Sequence, residues 1–319
     1  MPGYLLRRLL TIPLLLWVIY TVTFFMAVTI PGNPFTQTER NLSPEVQRAI
    51  EARYKADDNW AFYWDYLGNL VNPVAAWRGE GPLIDLGPSW QYYDWTCNQI
   101  VVSALPVSVG LGLTAMFIAT VVGIPVGVLS AVHRGSWFDW LALALALVGI
   151  SLPTFVTGTA LLIVFGMLLG WLPVGGWGHL DQLVLPAVTL SLPFLAYIAR
   201  LTRLGMLDVL ASDYIRTARA KGLAGRSVIW KHALKNAFLP VLSFLGPATA
   251  IAMTGSFVIE NIFNIPGLGQ HFVDSILSRD RGMILATVLV FSGVIVFFNL
   301  VVDVTYAVVD PRISLEDGQ

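Results

Sequence analysis

Residues 211–240, ASDYIRTARAKGLAGRSVIWKHALKNAFLP, form a basic segment set between two apolar runs, 183–199 and 238–259, that carry no charge. A polar stretch this short between two membrane spans cannot be a soluble domain. Its Arg and Lys side chains must lie at the membrane surface, where long stems let the charged heads reach water. Positive charge in a short loop resists translocation, so the segment is expected on the cytoplasmic side.

Two short helices are legible inside it. Ser212 stands where it can cap the first, and Asp213 falls in the first turn, where the helix dipole favours an acid. Asp213 and Arg216 are three residues apart and share a face. Gly222 is a suitable end for this helix, with Gly225 close behind. Ser227 can cap a second helix, in which Ile229, Trp230, Ala233, Leu234 and Ala237 make an apolar face. Lys231, His232, Lys235 and Asn236 fall mostly opposite. Two readings follow: a solvated connector, or a docking helix for a cytoplasmic partner.

The rest of the chain is membrane-like. Of its 319 residues 56% are hydrophobic and 12% charged, against about 25% charged in soluble domains. Several uncharged runs exceed the roughly 20 residues that cross a bilayer, which excludes an ordinary soluble enzyme. A net charge of −1 offers no footprint for nucleic acid. The single cysteine, Cys97, allows no intrachain disulfide and no metal-ligand spacing. The four histidines, His133, His179, His232 and His271, are far apart in sequence, so a shared metal site is not expected. The first apolar run is longer than a signal-peptide core and is read as a retained helix.

Six spans fit the pattern, near 9–30, 101–132, 140–169, 183–199, 238–259 and 283–302. The third run is longer than one span needs and holds Pro153. A single kinked or tilted helix is expected there, with two short helices and a turn as the alternative. With the N-terminus inside, twelve Lys and Arg residues fall in short cytoplasmic segments, among them Arg7, Arg8, Arg134, Arg200, Arg203 and Arg312. Only Arg279 and Arg281 fall in short outer loops. Both termini are therefore expected in the cytoplasm. Residues 31–100 become an extracytoplasmic segment after the first helix, with a helix start at Ser43-Pro44-Glu45. Its aromatic residues suit an interfacial belt or a surface that meets a binding protein. Asn264–Gln270, NIPGLGQ, reads as a tight turn, Pro266 presetting φ and Gly267 and Gly269 permitting positive φ. It is either a simple outer or re-entrant turn or a shaper of the outer end of a pathway.

No G-x-x-x-x-G-K-[ST] phosphate loop occurs anywhere in the sequence. Ionisable side chains are absent from the cores of the six expected spans, whereas ion-driven carriers generally need them at depth. Energy for active transport would then have to come from another polypeptide, and the basic loop is the obvious receiver. A self-sufficient secondary carrier or channel is the alternative. It would explain the bundle but leave the loop without a purpose.

The segments DYIRTARAKGL and HALKNAFLP resemble the coupling loop of the permease subunits of binding-protein-dependent ABC importers. The general family form is E-A-A-x3-G-x9-I-x-L-P. Alignment on Gly222 puts Arg216, Thr217 and Ala218 where that form has Glu, Ala and Ala, and Leu239-Pro240 at its end. The missing glutamate and a Gly222–Pro240 spacing five residues longer than the general form both resemble the dipeptide/oligopeptide/nickel branch. So do YLLRRLLTIP with IPGNP, LGWLPVGG, LVLPAVTLSLPFLAYIARLTR, GSFVIENIFNIPGLGQ and VDVTYAVVDPRI, in family order.

The resemblance implies an all-α integral membrane protein, the six-helix transmembrane subunit of a type I ABC importer with an extracytoplasmic insertion after its first helix. It divides the chain into 1–30, the outer segment 31–100, a five-helix core 101–303 holding the coupling loop 204–237, and a cytoplasmic tail 304–319. The implied partners are a second related permease subunit, two cytoplasmic ATPase subunits, an extracytoplasmic binding protein and membrane lipid, but no nucleic acid. This chain holds no cofactor itself, since ATP is used by the partner subunits, and it is not an enzyme. The contact with the ATPase falls on Asp213, Tyr214, Arg216, Ala218, Arg219, Lys221, Gly222 and Leu223, in a protein of the bacterial inner membrane. Peptides, nickel, glutathione-like molecules and oligosaccharides are all cargoes of this branch.

Overall fold

The computed structural model describes residues 2–30, 58–79, 81–92 and 95–309. The helix start expected at Ser43 and the tail beyond 309 lie outside the described residues. Among those described, the only extended pairing is two isolated bridges, Val71 with Ile84 and Pro88 with Thr96. Everything else regular is helical, as a membrane interior demands, because a helix satisfies its backbone polar groups within one segment.

Five helices are long and apolar enough to cross a bilayer: Leu10–Thr29, Cys97–Val132, Leu180–Leu210, Leu239–Ile262 and Arg281–Val302. The third expected span, near 140–169, is not one kinked helix. Trp137–Ser151 and Thr154–Leu168 meet at 107°, the two-helix alternative. Leu152 still donates to the Val148 carbonyl at 3.0 Å. Pro153 then has no N–H to continue the ladder and takes an extended conformation, φ −58° and ψ 138°, so the chain restarts in a new direction. The span ends also move outward from the expected ones. The fourth helix runs on to Leu210 and takes in Arg200, Arg203 and Asp208. The fifth apolar stretch continues, past a break at Gly255, to include Glu260. Glu260 is fully buried, its Oε1 accepting from Ser108 Oγ at 2.7 Å and Ser256 Oγ at 2.5 Å. Ionisable groups therefore do lie within the long helices.

The chain forms two compact units. In the first, Met1–Val107 with Gly267–Val294, Tyr20 and Phe24 pack on Tyr63, Tyr66, Leu285 and Leu289. Tyr20 donates to the Tyr63 carbonyl at 2.8 Å. Asp58 caps the helix Asn59–Leu70 by accepting from the Trp60 and Ala61 amides, both at 3.0 Å. In the second, Ser108–Pro266 with Ile295–Gln319, small residues set the helix spacing. A Cβ on Gly112 would lie 2.7 Å from Met253 Cα, and one on Gly127 would collide with the Ala199 carbonyl. Backbones approach this closely only where side chains are missing.

Candidate functional site: a docked basic helix and its buried anchor

The helix Leu180–Leu210 delivers the chain into the basic segment. The first short helix is Asp213–Ala220. Ser212 holds its N-cap position, but its hydroxyl donates back to the Val209 carbonyl at 2.5 Å rather than capping. At the other end the Leu223 amide donates to the Ala218 carbonyl at 3.3 Å and the Gly222 amide to Arg219 at 3.0 Å. With Gly222 at φ +77° this is a complete Schellman closure, and glycine takes the left-handed conformation at least cost.

One side chain moors this helix. Ile215 is fully buried in a cluster with Val128, Ala131, Met206, Val228, Ala233 and Ala237. Burying an isoleucine contributes about 1.5–3 kcal/mol, enough to hold a two-turn helix that has little stability of its own. Ala218, one turn on, packs half-buried against the same cluster. Asp213, Tyr214, Arg216, Arg219, Lys221, Gly222 and Leu223 all face outward. Arg216 Nη1 lies 3.1 Å from Asp213 Oδ1, in an ion pair open to solvent.

The second half of the segment departs from expectation. Ser227 caps nothing. The helix opens at Gly225 with Ala224 as its N-cap, and Ser227 lies inside it. From Val228 to Ala233 the winding is π before Leu234–Ala237 returns to α. Val228, Ala233 and Ala237 are buried, Ile229 and Leu234 pack part-buried against the same cluster, and Trp230 remains half-exposed, so the inward face is the expected one with Val228 in place of Trp230. Asn236 Nδ2 donates to the Tyr214 hydroxyl at 2.8 Å, joining the two halves. Arg226, Lys231 and Lys235 extend the exposed cationic rim of Arg216, Arg219 and Lys221.

Beneath the segment lies an ion pair that no local pattern announces. Arg203 donates through Nε to Asp139 Oδ1 at 2.7 Å and through Nη2 to Oδ2 at 2.8 Å. Ser130 also donates to Oδ1, and the Gly135 amide to Oδ2 at 2.9 Å. The carboxylate is 3% exposed. Three helices are thereby joined near the basic segment: the end of Cys97–Val132, the first turn of Trp137–Ser151, and Leu180–Leu210 two turns before the loop. The forked geometry matches the planar guanidinium to the carboxylate. In the sequence Arg203 is only one more cytoplasmic charge. The available signal was a lone acid opening an apolar run after a capping serine.

The outer-turn residues are distributed differently from the sequence reading. Positive φ belongs to Asn264, at 49°, a residue type that tolerates this region. Gly267 is extended, at φ −96° and ψ 170°, and caps the helix Leu268–Leu277, in which Gly269 is buried. Pro266 is exposed. Among the described residues no group of His, Cys, Asp or Glu could hold a metal ion.

Residues 123–315, which hold the basic segment and the Arg203–Asp139 pair, match the family of binding-protein-dependent transport system inner membrane components. The chain belongs to this family. It is similar over nearly its whole length to the oligopeptide transport system permease protein OppB of Escherichia coli strain K12, with 44% identity over 98% of this chain and 99% of that one. It also matches the dipeptide transport system permease protein DppB of Bacillus subtilis strain 168, with 40% identity over 99% of both. The fold is shared with the MetNI methionine ABC transporter in an inward-facing form, at a TM-score of 0.53 and 21% identity over 67% of this chain and 97% of that one. An amino acid ABC transporter crystallised with histidines gives 0.52 at 16% identity, over 65% and 93%. The family member described here is a multi-pass inner-membrane permease subunit of an ABC importer, a transport component that works with a permease partner, an ATPase and a binding protein.

Proposed function

We propose that this chain translocates peptides across the inner membrane as one half of a permease heterodimer. A second, related subunit forms the other half, two ATPase subunits drive the pair from the cytosol, and a binding protein delivers cargo outside. Both termini lie in the cytoplasm and residues 31–100 outside, as the distribution of Lys and Arg favours. The peptide assignment rests on the full-length similarity to permeases named for oligopeptide and dipeptide transport.

The observation that carries the mechanism is the construction of Asp213–Leu223. A short helix is held by one buried side chain, Ile215, closed by Gly222, and exposed on every other face with a cationic rim. A solvated connector has no need of such an anchor. ATP binding would draw the ATPases together and move this helix. The displacement would pass through Ile215 and the Arg203–Asp139 fork into the long helices, switching the pathway from inward-facing to outward-facing. Arg216, Arg219 and Lys221 supply polar contacts to the ATPase, and Ala218 and Gly222 allow close approach.

Gly222→Glu tests this, with Gly170→Glu, far from the fork in sequence, as its control. Both glycines have positive φ, 77° and 61°, and both have open space where a side chain would go. The two variants therefore carry the same backbone strain. Both should assemble. Only Gly222→Glu should lose uptake in reconstituted vesicles and the response of ATP hydrolysis to loaded binding protein. Normal coupled uptake by Gly222→Glu would reduce the segment to a connector.

A further inference from the structure

In the first compact unit a half-open cavity of about 340 Å³ is lined by Tyr92, Trp95, Ile100, Ser103 and His271. The volume falls within the range of small-ligand sites, and the lining has their usual character, apolar and aromatic with a few polar groups. Ile100 and Ser103 come from the start of the long helix Cys97–Val132, so the floor of the cavity belongs to a membrane-crossing element. The Tyr92 and His271 rings meet edge to face with centroids 6.2 Å apart. Trp95 is 52% exposed, and its ring forms an uncovered wall.

The wall that bears Tyr92 and Trp95 is held in place before any ligand arrives. Asp280, 1% exposed, accepts through Oδ2 from Ser89 Oγ at 2.5 Å, the Trp90 amide at 2.9 Å and the Gln91 amide at 3.0 Å. The Ser89 hydroxyl in turn accepts from the Tyr92 amide at 3.1 Å, and the Trp95 amide donates to the Tyr92 carbonyl at 3.1 Å. Ser278 Oγ donates to Gln91 Oε1 at 2.9 Å. Burial, and then the carboxylates of Asp274 and Asp280, push the Tyr92 phenol up, so at neutral pH it remains a hydrogen-bond donor. A loop meant only to link two helices would not need this much fixing. A preorganised wall is what a binding surface needs, because ordering is then not charged against affinity.

We propose that this cavity is an extracytoplasmic subsite for a large apolar or aromatic side chain of the transported peptide, with Asp280 as the residue that positions its wall. The inference rests on the peptide-import reading. Trp95 and Tyr92 supply the stacking surface, Ile100 the apolar floor, and the Tyr92 hydroxyl and His271 the polar partners for the adjoining peptide backbone.

The test uses the complete importer in vesicles, with binding protein saturating for the peptide KM values and titrated separately for its own KM, and two cargoes, Ala-Trp-Ala and Ala-Gly-Ala, whose affinities for the binding protein are measured separately. The unchanged complex should show a KM for the Trp peptide lower than for the Gly peptide by at least about five-fold after that correction. Trp95→Ala removes the stacking wall. Ser103→Leu fills the cavity without costing a partner, since the Ser103 hydroxyl bonds only to the Ile100 carbonyl of its own helix. Each should bring the ratio close to one. Asp280→Asn should lower the ratio in part. Trp77→Ala, at an 89% exposed tryptophan outside the cavity, should leave it intact. An unchanged ratio in both Trp95→Ala and Ser103→Leu would overturn the subsite. So would an equal rise in the KM for the binding protein with both cargoes, because the cavity would then seat the binding protein. Failure of the unchanged complex to move either peptide would refute the peptide-import reading instead.

Discussion

Asp139 and Asp280 are both almost wholly buried, at 3% and 1% exposure, and each ties together segments distant in sequence. They solve the problem of a buried charge in different ways. Asp139 opens a helix of the bent apolar pair, where a lone carboxylate would be costly, and it is matched by a forked arginine. Asp280 precedes Arg281–Val309 and takes the Met283 amide on Oδ1 at 3.0 Å as an N-cap. Its other oxygen faces a hydroxyl and two backbone amides, and none of these donors is a cation. The positive end of a helix and a nest of N–H groups can stabilise an anion without a counter-charge. A paired charge fails abruptly when one member is lost, whereas a carboxylate held by several dipoles fails by degrees.

The largest effect should therefore come from Asp139→Leu, which leaves Arg203 buried without its partner. It should destabilise the protein by about 3–5 kcal/mol, read as a lower melting temperature in detergent and less protein in the membrane. Adding Arg203→Met should restore most of the loss, since apolar residues of similar size often replace buried pairs at little cost. If the double variant is as unstable as the single one, charge pairing is not what this fork supplies.

Asp280→Asn should cost less, about 1–3 kcal/mol, because the amide sets a donor against donors at one oxygen position while keeping the other. Faster hydrogen exchange at the Trp90 and Gln91 amides, with the rest of the first unit still protected, would locate the damage. A loss as large as that of Asp139→Leu would erase the distinction between the two carboxylates.

The smallest structural effect belongs to Arg216→Ala. Its ion pair with Asp213 is solvent-exposed on both sides, and such pairs contribute little. The melting temperature should not change measurably, while ATPase coupling should weaken. A marked drop in melting temperature would mean that this surface pair, unlike the buried fork, had been undervalued.

Much of this was legible in linear order. Apolar runs separated by charge located the long helices, and Gly222 was readable because helix closure needs a local left-handed residue. The six ordered phrases pointed to the family before any coordinate. The bend at Pro153 was legible only as a choice between two outcomes. Proline predicts a break in hydrogen bonding, but 107° is set by what the two halves pack against. Gly149 lies over Ala196, and Gly158 over Thr189 and Ile259. Ser227 suggests itself as the cap of the second short helix because serine caps well in isolation, whereas the helix opens at Gly225 and winds as π from Val228 to Ala233, with Val228, Ala233 and Ala237 buried beside Ile215.

The sequence by itself determined the class of protein, the positions of the five long apolar helices and the basic character of residues 211–240. Each of these depends on composition or on residues within a few turns of one another. Only the tertiary structure decided that Ile215 is the mooring, that Arg203 meets Asp139 sixty-four positions away, and that Asp280 fixes a wall bearing Ser89, Trp90, Gln91, Tyr92 and Trp95. Such contacts form between side chains whose separation along the chain carries no periodic signal. Their partners are chosen by which helix faces the packing brings together.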